Sequence, residues 1–399
     1  MDMMILREEA AAVIDRETPA VVLPREKVPV RQALGRWLAQ DALSRLDLPP
    51  FDKSAMDGFA VRADDQRESY RVLETVAAGR VPTVALTPGG ASKVMTGAPV
   101  PAGTGRVIKV EDVREEGGSI RLLHDAPERN LCRKGEDIKR GDLVLRAGTR
   151  LSPVDIANLI GCGATEAEVL RPVRTAILST GDELVDDPAQ AGPGRIMNTN
   201  GPMLRLLAEQ NGLEVVSESA VGDDPGKTLE ALRRALEAAD LVLVSGGVSA
   251  GDFDFVEEAL PKAGLKVHFT QVAVKPGKPT VFATGPGKAV FGLPGNPVAV
   301  FTTFHLFALR AAARLRGQPP RAPRELALRL GFDYRRRNPE RAELVPCRIQ
   351  PDGSLARLAF HGSAHLAALS QADGFFLVPQ GTTELPAGSA VRCLPLSLS

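Results

Sequence analysis

A layered α/β domain built on a parallel sheet is the fold class that this sequence predicts for its middle, with smaller β-rich pieces on either side. Three observations predict it. After Arg171-Pro172 the chain alternates strand, loop and helix, the pattern of an α/β layer. Three apolar runs, Val173 to Ser179, Leu241 to Val244 and Ala289 to Leu293, end abruptly in glycine-bearing or acidic loops, as buried parallel strands do. Elsewhere the 38 glycines and 31 prolines break the chain into short β-like runs and turns. At 399 residues the chain is also too long for one ordinary core. The expected layout is a discontinuous helical domain over 1–44 and 141–171, an inserted β domain over 45–140, the α/β domain over 172–320 and a C-terminal β domain over 321–399.

Composition narrows the function. The 49 basic and 49 acidic side chains cancel, so a global electrostatic grip on nucleic acid or an anionic membrane is not expected. One Trp and two Tyr are too few for base-stacking platforms. The four cysteines, Cys132, Cys162, Cys347 and Cys393, form no Cys-x-x-Cys pair, and the five histidines make no metal-spaced cluster. A metal, if used, should then be a hard cation on carboxylates and phosphate oxygens, most simply magnesium. No apolar run reads as membrane-spanning and the N-terminus lacks signal-peptide order, so a soluble cytoplasmic protein is expected.

Taken in order, residues 7 to 17 and 30 to 41 read as helices, the second with a stripe of Val30, Ala33, Leu34, Trp37 and Leu38. Phe51-Asp-Lys-Ser-Ala-Met-Asp-Gly-Phe59 follows, an ordinary hairpin turn by itself, or a loop whose Ser54 and Asp57 face a ligand. Short strands from 70 to 145 carry Thr96-Gly97 and Gly135-Glu-Asp137, each also ordinary turn chemistry when taken singly. Ser152 caps a helix with Pro153 at its first position.

Within the α/β region the first strand ends in Thr180-Gly-Asp-Glu183, and a helix over 202–210 and a strand over 213–216 follow. Asp224 and Pro225 then open a helix to Leu236. The strand over 241–244 ends in Ser245-Gly-Gly-Val-Ser249, with Asp252 and Asp254 next, where glycine amides and a hydroxyl suit an anion and the acids suit a cation. A strand through Val272 to Val274 leads into Lys275-Pro-Gly-Lys-Pro279, where a polyproline II turn would project both lysines from one side toward an oxyanion, or leave them solvated. Pro294-Gly-Asn-Pro297 delivers the last strand to a helix running to about Leu315, with Asn296 as its cap and His305 as a core side chain; such a helix start is an anion site. Because ligands bind beyond the carboxyl ends of parallel strands, these loops should converge. Carboxylates, glycine amides, hydroxyls and two lysines fit a phosphate-bearing ligand with a divalent cation. No Gly-x-Ser-x-Gly elbow, dinucleotide fingerprint or Walker loop competes with that reading.

Seven motifs then stand in one order: Phe51-Asp-Lys-Ser-Ala-Met-Asp-Gly-Phe-Ala60, Thr96-Gly-Ala-Pro-Val-Pro101, Gly135-Glu-Asp137, Ser179-Thr-Gly-Asp-Glu-Leu-Val185, Ser245-Gly-Gly-Val-Ser249, Lys275-Pro-Gly-Lys-Pro279 and Gly292-Leu-Pro-Gly-Asn-Pro297. Over essentially its full length the chain resembles the molybdopterin molybdenumtransferase family, which includes MoeA and the gephyrin E domain. The resemblance implies four domains and a homodimer whose site is completed by the partner's β insertion. It also implies a magnesium-dependent reaction of adenylylated molybdopterin with molybdate to give molybdenum cofactor and AMP. Transient contact with the adenylyltransferase of the preceding step is implied too.

By motif, Asp57, Thr96, Asp137, Glu183, Lys275 and Lys278 would be catalytic. Ser54, Gly181, Asp182, Ser245, Gly246, Gly247, Ser249, Pro294, Gly295, Asn296 and Pro297 would hold substrate. Glu183, Asp223, Asp224, Asp252 and Asp254 would hold metal. Departures from the family pattern are Phe59 for a frequent Tyr, Cys132 for a basic residue, Asn198-Thr-Asn200 for Asp-Ser-Asn, and Gly103-Thr-Gly-Arg106 for Gly-Ala-Asp-Ala. Two other readings stay open: adenylylation of molybdopterin, which would consume ATP, and a non-enzymatic dimeric scaffold, which would tolerate loss of Asp57.

Overall fold

The computed structural model describes residues 4–125, 127–247, 255–319 and 323–396. The chain forms two compact units, Arg25–Leu170 and a larger one of Met1–Pro24 with Arg171–Ser399.

The larger unit is organised on a six-stranded sheet of β1 (Arg174–Thr180), β2 (Glu214–Val221), β3 (Leu241–Ser245), β4 (Lys266–Phe269), β5 (Val281–Gly285) and β6 (Lys288–Leu293). Its order is β2-β1-β3-β6-β5-β4; the first four strands are parallel and the last two pair antiparallel. All five residues of β3 are buried, because helices cover both faces. Strand periodicity divides the cover. Ile177, Leu243 and Phe291 face one cluster with Leu204 and Leu207, whereas Leu178, Val242, Val244 and Val290 face another with Leu232 and Leu260. The first cluster packs α1 (Arg7–Glu17), α2 (Asn200–Gln210) and the long C-terminal helix; the second packs α3 (Pro225–Ala238) and α4 (Val256–Lys262).

The long helix, α5, starts at Pro297 and reaches Leu315 through one wide turn at Phe304–Ala308. Thr302 and Thr303 hydroxyls donate back to the carbonyls of Val298, Ala299 and Val300, beside the point where the helix widens. Contrary to the sequence reading, this 19-residue helix is long and apolar enough to cross a membrane by length and composition, but 72% of that stretch is buried within the fold. His305 is partly buried, with its Nδ1 2.9 Å from the Phe301 carbonyl, and desolvation lowers its pKa.

Two sequence expectations are corrected in this unit. Residues 1–24, expected with the discontinuous domain, belong here because Ala10 and Ile14 are fully buried in the first cluster and Asp15 takes both arms of the Arg310 guanidinium. The strand expected over 272–274 is Val274–Lys275, and it pairs with Ala342-Glu343 rather than joining the α/β sheet. Ala342–Ile349 belongs to the C-terminal sheet, with Ser354–Arg357, Leu326–Leu330, Ala390–Pro395 and Gly374–Val378. The first of these strands also pairs with the last, closing the sheet around Leu330, Cys347, Leu355, Phe376 and Cys393. All four cysteines are free thiols.

The smaller unit holds the expected β insertion. Six strands run in the order Thr104–Lys109, Gly58–Arg62, Gly90–Val94, Ser69–Val76, Ser119–Leu122 and Val113–Glu116. They pack around Phe59, Val61, Tyr70, Ile108 and Ile120. Beside them Ser152 caps Pro153–Gly161, and Arg25–Pro29 pairs with Glu166–Leu170. The helix expected over 30–41 is only one tight turn, Val30–Gln32. Gly35 takes φ +75°, and the amides of Gly35 and Leu38 bond to Leu151 and Thr149 carbonyls instead of continuing a helix. Replacing Ile14 by Ala should destabilise the larger unit by about 2–5 kcal/mol in denaturant melts, since a fully buried branched side chain is lost.

Candidate active site

The loops at the carboxyl ends of β1, β3 and β6 enclose a cavity of 520 Å³. Thr180, Gly181 and Glu183 come from the first loop, Ser245, Gly246 and Gly247 from the second, and Pro294 to Pro297 from the third. Asp223 lines it after β2. The two glycines of the middle loop are required by geometry. Gly246 (φ +90°) and Gly247 (φ +64°) lie against Thr180, where an added Cβ would come within 2.6 Å of the Thr180 carbonyl and 2.9 Å of its hydroxyl, respectively. Gly246 N–H donates to the Leu293 carbonyl, which ties the second loop to the third.

The acids divide into distinct roles. Glu183 folds its carboxylate over Gly181, where a Cβ would meet Oε2 at 2.3 Å. Asp182 does not line the cavity; its carboxylate accepts from Asp223 N–H at 3.1 Å, while the Asp223 carboxylate accepts from Asp182 N–H at 3.3 Å. Asp224 Oδ1 caps α3 by accepting from Lys227 N–H at 2.7 Å. Among the described residues Glu183 and Asp223 are therefore the carboxylates that line the cavity, and an all-oxygen donor set of this kind suits a hard cation completed by substrate oxygens. Among the described residues no group of three His, Cys, Asp or Glu is placed to hold a metal alone. Ser249, Asp252 and Asp254 lie outside the described residues.

At the α5 N-terminus, read from the sequence as an anion site, the first three N–H groups of the helix bond within the fold. The Val298 amide donates to the Ser363 carbonyl, and the Ala299 and Val300 amides donate to Asn296. Asn296 makes no side-chain cap; its Nδ2 donates to Ser363 Oγ at 2.9 Å.

A second pocket of 230 Å³ adjoins the cavity and shares Pro279, Pro294 and Asn296 with it. Lys275, Lys278, Arg341, Glu343, Phe360 and Ser363 are among its lining residues. The two lysines expected to act alike do not. Lys275 Nζ pairs with Glu343 Oε1 at 2.9 Å, whereas Lys278 and Arg341 have no ion-pair partner among the described residues. Glu343 is 7% exposed, and its other oxygen accepts from Arg336 at 3.4 Å. Burial, then the Glu343 charge, raises the pKa of the Tyr334 hydroxyl. The residues sequence reasoning missed, Arg341, Glu343 and Ser363, all come from the C-terminal sheet region; only Asn198 to Asn200, which also line the cavity, carried a sequence signal, as a family departure.

In the smaller unit, backbone bonds tie two motifs together, Ser54 N–H donating to Ala98 and Gly97 N–H to Ser54, and the strand Lys53–Ser54 pairs with Leu131–Cys132, just ahead of the third. Asp57 Oδ1 accepts from both the Thr96 amide (2.6 Å) and hydroxyl (2.8 Å), which holds its carboxyl below the ordinary range. Asp137 is exposed on the loop whose amide bonds Leu48. Ser54, expected to face a ligand, is buried and its hydroxyl donates to the Met56 carbonyl.

Comparison with known proteins places this architecture. Residues 5–163 match the MoeA N-terminal region (domain I and II), 176–314 a probable molybdopterin binding domain, and 328–396 the MoeA C-terminal region (domain IV). These three regions together define a MoeA-type multidomain protein. The chain is 33% identical over 405 residues to the molybdopterin molybdenumtransferase of Staphylococcus aureus strain Mu50, covering 97% of this chain and 94% of that one. It is 33% identical over 370 residues to that of Staphylococcus epidermidis, covering 90% and 88%. The crystal structure of a molybdopterin biosynthesis MoeA protein from Pyrococcus horikoshii OT3 superposes with a TM-score of 0.83 at 32% identity, over 98% of this chain and 99% of that one. The chain belongs to the molybdopterin molybdenumtransferase family.

Gly246→Ala should close the cavity mouth against Thr180 and cost roughly 1–3 kcal/mol in stability, with ligand affinity falling at least about tenfold by titration calorimetry.

Proposed function

We propose that this protein transfers molybdate onto adenylylated molybdopterin, releasing AMP and giving molybdenum cofactor, with magnesium. Family membership makes it a transferase of molybdenum cofactor biosynthesis; the substrates, the cation and the residue roles are the proposal. The observation that carries it is the adjacency of two sites, a large cavity able to take a flat heterocycle with its phosphate and a small cationic pocket sharing three of its walls. Lys278, Arg341 and the Ser363 hydroxyl are the oxyanion donors of the small pocket. An oxyanion collected there lies next to whatever fills the larger cavity, so the two reactants meet without diffusing apart.

Glu183 and Asp223 would hold magnesium, which when bound neutralises charge on the phosphoanhydride oxygens. Lys278 adds a positive charge to the wall on the oxyanion side. Asp57, kept ionised by Thr96, and Asp137 are proposed to serve the same reaction. The protein would act as a cytoplasmic homodimer, with transient contact to the preceding adenylyltransferase. The exposed cross-strand pair Leu43 and Leu143, with Leu46 nearby in sequence, supports an apolar self-association surface.

Purified protein given adenylylated molybdopterin, molybdate and magnesium should release AMP and retain molybdenum on the pterin; consumption of ATP alone would instead support the preceding adenylylation. Glu183→Ala should lower AMP release at least about tenfold and raise the magnesium concentration needed for half-maximal rate, as expected if roughly 1.4 kcal/mol of cation binding is lost. An unaltered magnesium demand would remove Glu183 from the cation site. Sedimentation of Leu143→Asp against the parent protein should show a dimer converted to monomer.

A further inference from the structure

We infer that residues 186–196 form a lid that closes over the 520 Å³ cavity when ligand enters, packing Ile196 against the heterocycle and bringing the Arg195 guanidinium to its phosphate. The inference rests on the reading of that cavity as the site of a phosphate-bearing heterocycle, and adds how the ligand is enclosed and by which cation.

The segment is a small body on two short legs. Leu184-Val185 leads out of the loop that carries Glu183, Ile196-Met197 leads back, and the two legs pair in parallel. Every residue from Asp186 to Ile196 is exposed. The body has turns of its own: Asp187 Oδ1 accepts from Ala189 N–H at 2.9 Å, Gln190 N–H donates to the Asp187 carbonyl, and Gly192 and Arg195 exchange both backbone bonds. Bonds kept inside the segment let it move as one piece. Among the described residues a single side-chain hydrogen bond ties it to the cavity rim, from Asn198 Nδ2 to Asp186 Oδ1 at 3.3 Å, which is long and therefore weak. Gly194, at φ +79°, supplies backbone freedom just ahead of Arg195.

Two side chains do not suit a fixed wall. Ile196 lines the cavity yet is 59% exposed, with Leu184 and Met197 also in the lining. An apolar side chain left in water at a cavity is stabilised by covering a flat ring. Arg195 bonds only through its backbone, to Gly192, and its guanidinium has no partner among the described residues. The cavity is lined by Glu183 and Asp223 and, among the described residues, by no lysine or arginine. Those two carboxylates cancel one divalent cation, so the phosphate's own charge is left to be met. A planar guanidinium carried next to a lining residue meets it with paired donors. The lid is also joined to the chemistry, because Ile196 N–H donates to the Glu183 carbonyl at 2.8 Å and closure bears on the residue that supplies a cavity carboxylate.

The test is amide hydrogen exchange of the full chain, alone and saturated with adenylylated molybdopterin and magnesium in the absence of molybdate, together with the dissociation rate of that ligand. Residues 188–191 do not line the cavity, so protection there reports movement of the segment and not simple occupancy. Exchange over 186–195 should slow at least about tenfold on binding. Arg195→Gln and Ile196→Ala should each release the ligand at least about tenfold faster, with association changed much less. Both should melt like the parent, since Arg195 has no side-chain partner to lose and Ile196 is mostly in water. Ligand that protects the cavity loops over 181–183 and 245–247 but leaves 188–191 unchanged overturns the lid while leaving the reading of the cavity intact. Ligand that fails to bind, or binds without protecting those loops, overturns the reading of the cavity and the lid with it. Dissociation at the parent rate in Arg195→Gln overturns the role given to its guanidinium, and in Ile196→Ala that of the apolar cover.

Discussion

A carboxylate taken out of water must be met by cations, and Glu343 is where that constraint joins the parts of this site. It lies on a strand of the C-terminal sheet, opposite Lys275 in the short parallel pairing of Val274–Lys275 with Ala342-Glu343. Its two partners, Lys275 and Arg336, both precede it in sequence, one from a distant loop and one from seven residues before it. Breaking such a pair leaves an uncompensated buried charge, so the loop carrying Lys275 and Lys278 is bound to the C-terminal sheet by more than backbone bonds. Arg336 extends the same network by donating to the carbonyls of Arg341, Pro379 and Thr382, which fixes the approach to Arg341.

The second constraint is steric. At the carboxyl ends of β1 and β3 the chain brings Thr180 against Gly246 and Gly247 closely enough that no side chain fits between them. Gly295, from the loop after β6, approaches the Gly246 Cα across the same opening, 3.9 Å from where its own Cβ would stand. Around these contacts the cavity is lined by glycines, prolines and polar side chains, with Glu183 and Asp223 as its carboxylates among the described residues. An open floor of this sort can take a flat ligand edge-on, while the charged chemistry is kept to the rim and to the adjoining pocket.

The same groups serve different ends from those their sequence context suggests. Asn296 and Ser54 occur in motifs that read as ligand-facing, and in the structure their side chains also bond within the fold, Asn296 with Ser363 and Ser54 with the Met56 carbonyl, whereas Asp224 caps α3 as its place before Pro225 indicates. The Val298, Ala299 and Val300 amides at the start of α5 are likewise engaged within the fold. The Asp57 carboxylate is the reverse case, exposed and held below the ordinary range by the Thr96 amide first and its hydroxyl second, a pairing of two motifs distant in sequence.

What the sequence by itself determined is local or periodic. The buried runs that become β1, β3 and β6, the Pro-led starts of the helices at Pro153, Pro225 and Pro297, and the glycines at strand ends follow from side-chain polarity and backbone freedom, which a short window carries. The family motifs added most of the cavity lining. Where the sequence misled, a long-range contact had overruled a local pattern: residues 30–41 have a helical stripe, yet their amides bond to Leu151 and Thr149. Only the tertiary structure decided that Lys275 and Lys278, three residues apart, do different work, because the deciding partner, Glu343, lies 68 positions beyond the first of them. Ion pairing of a buried group depends on what the fold brings within a few ångströms, and spacing along the chain does not encode it.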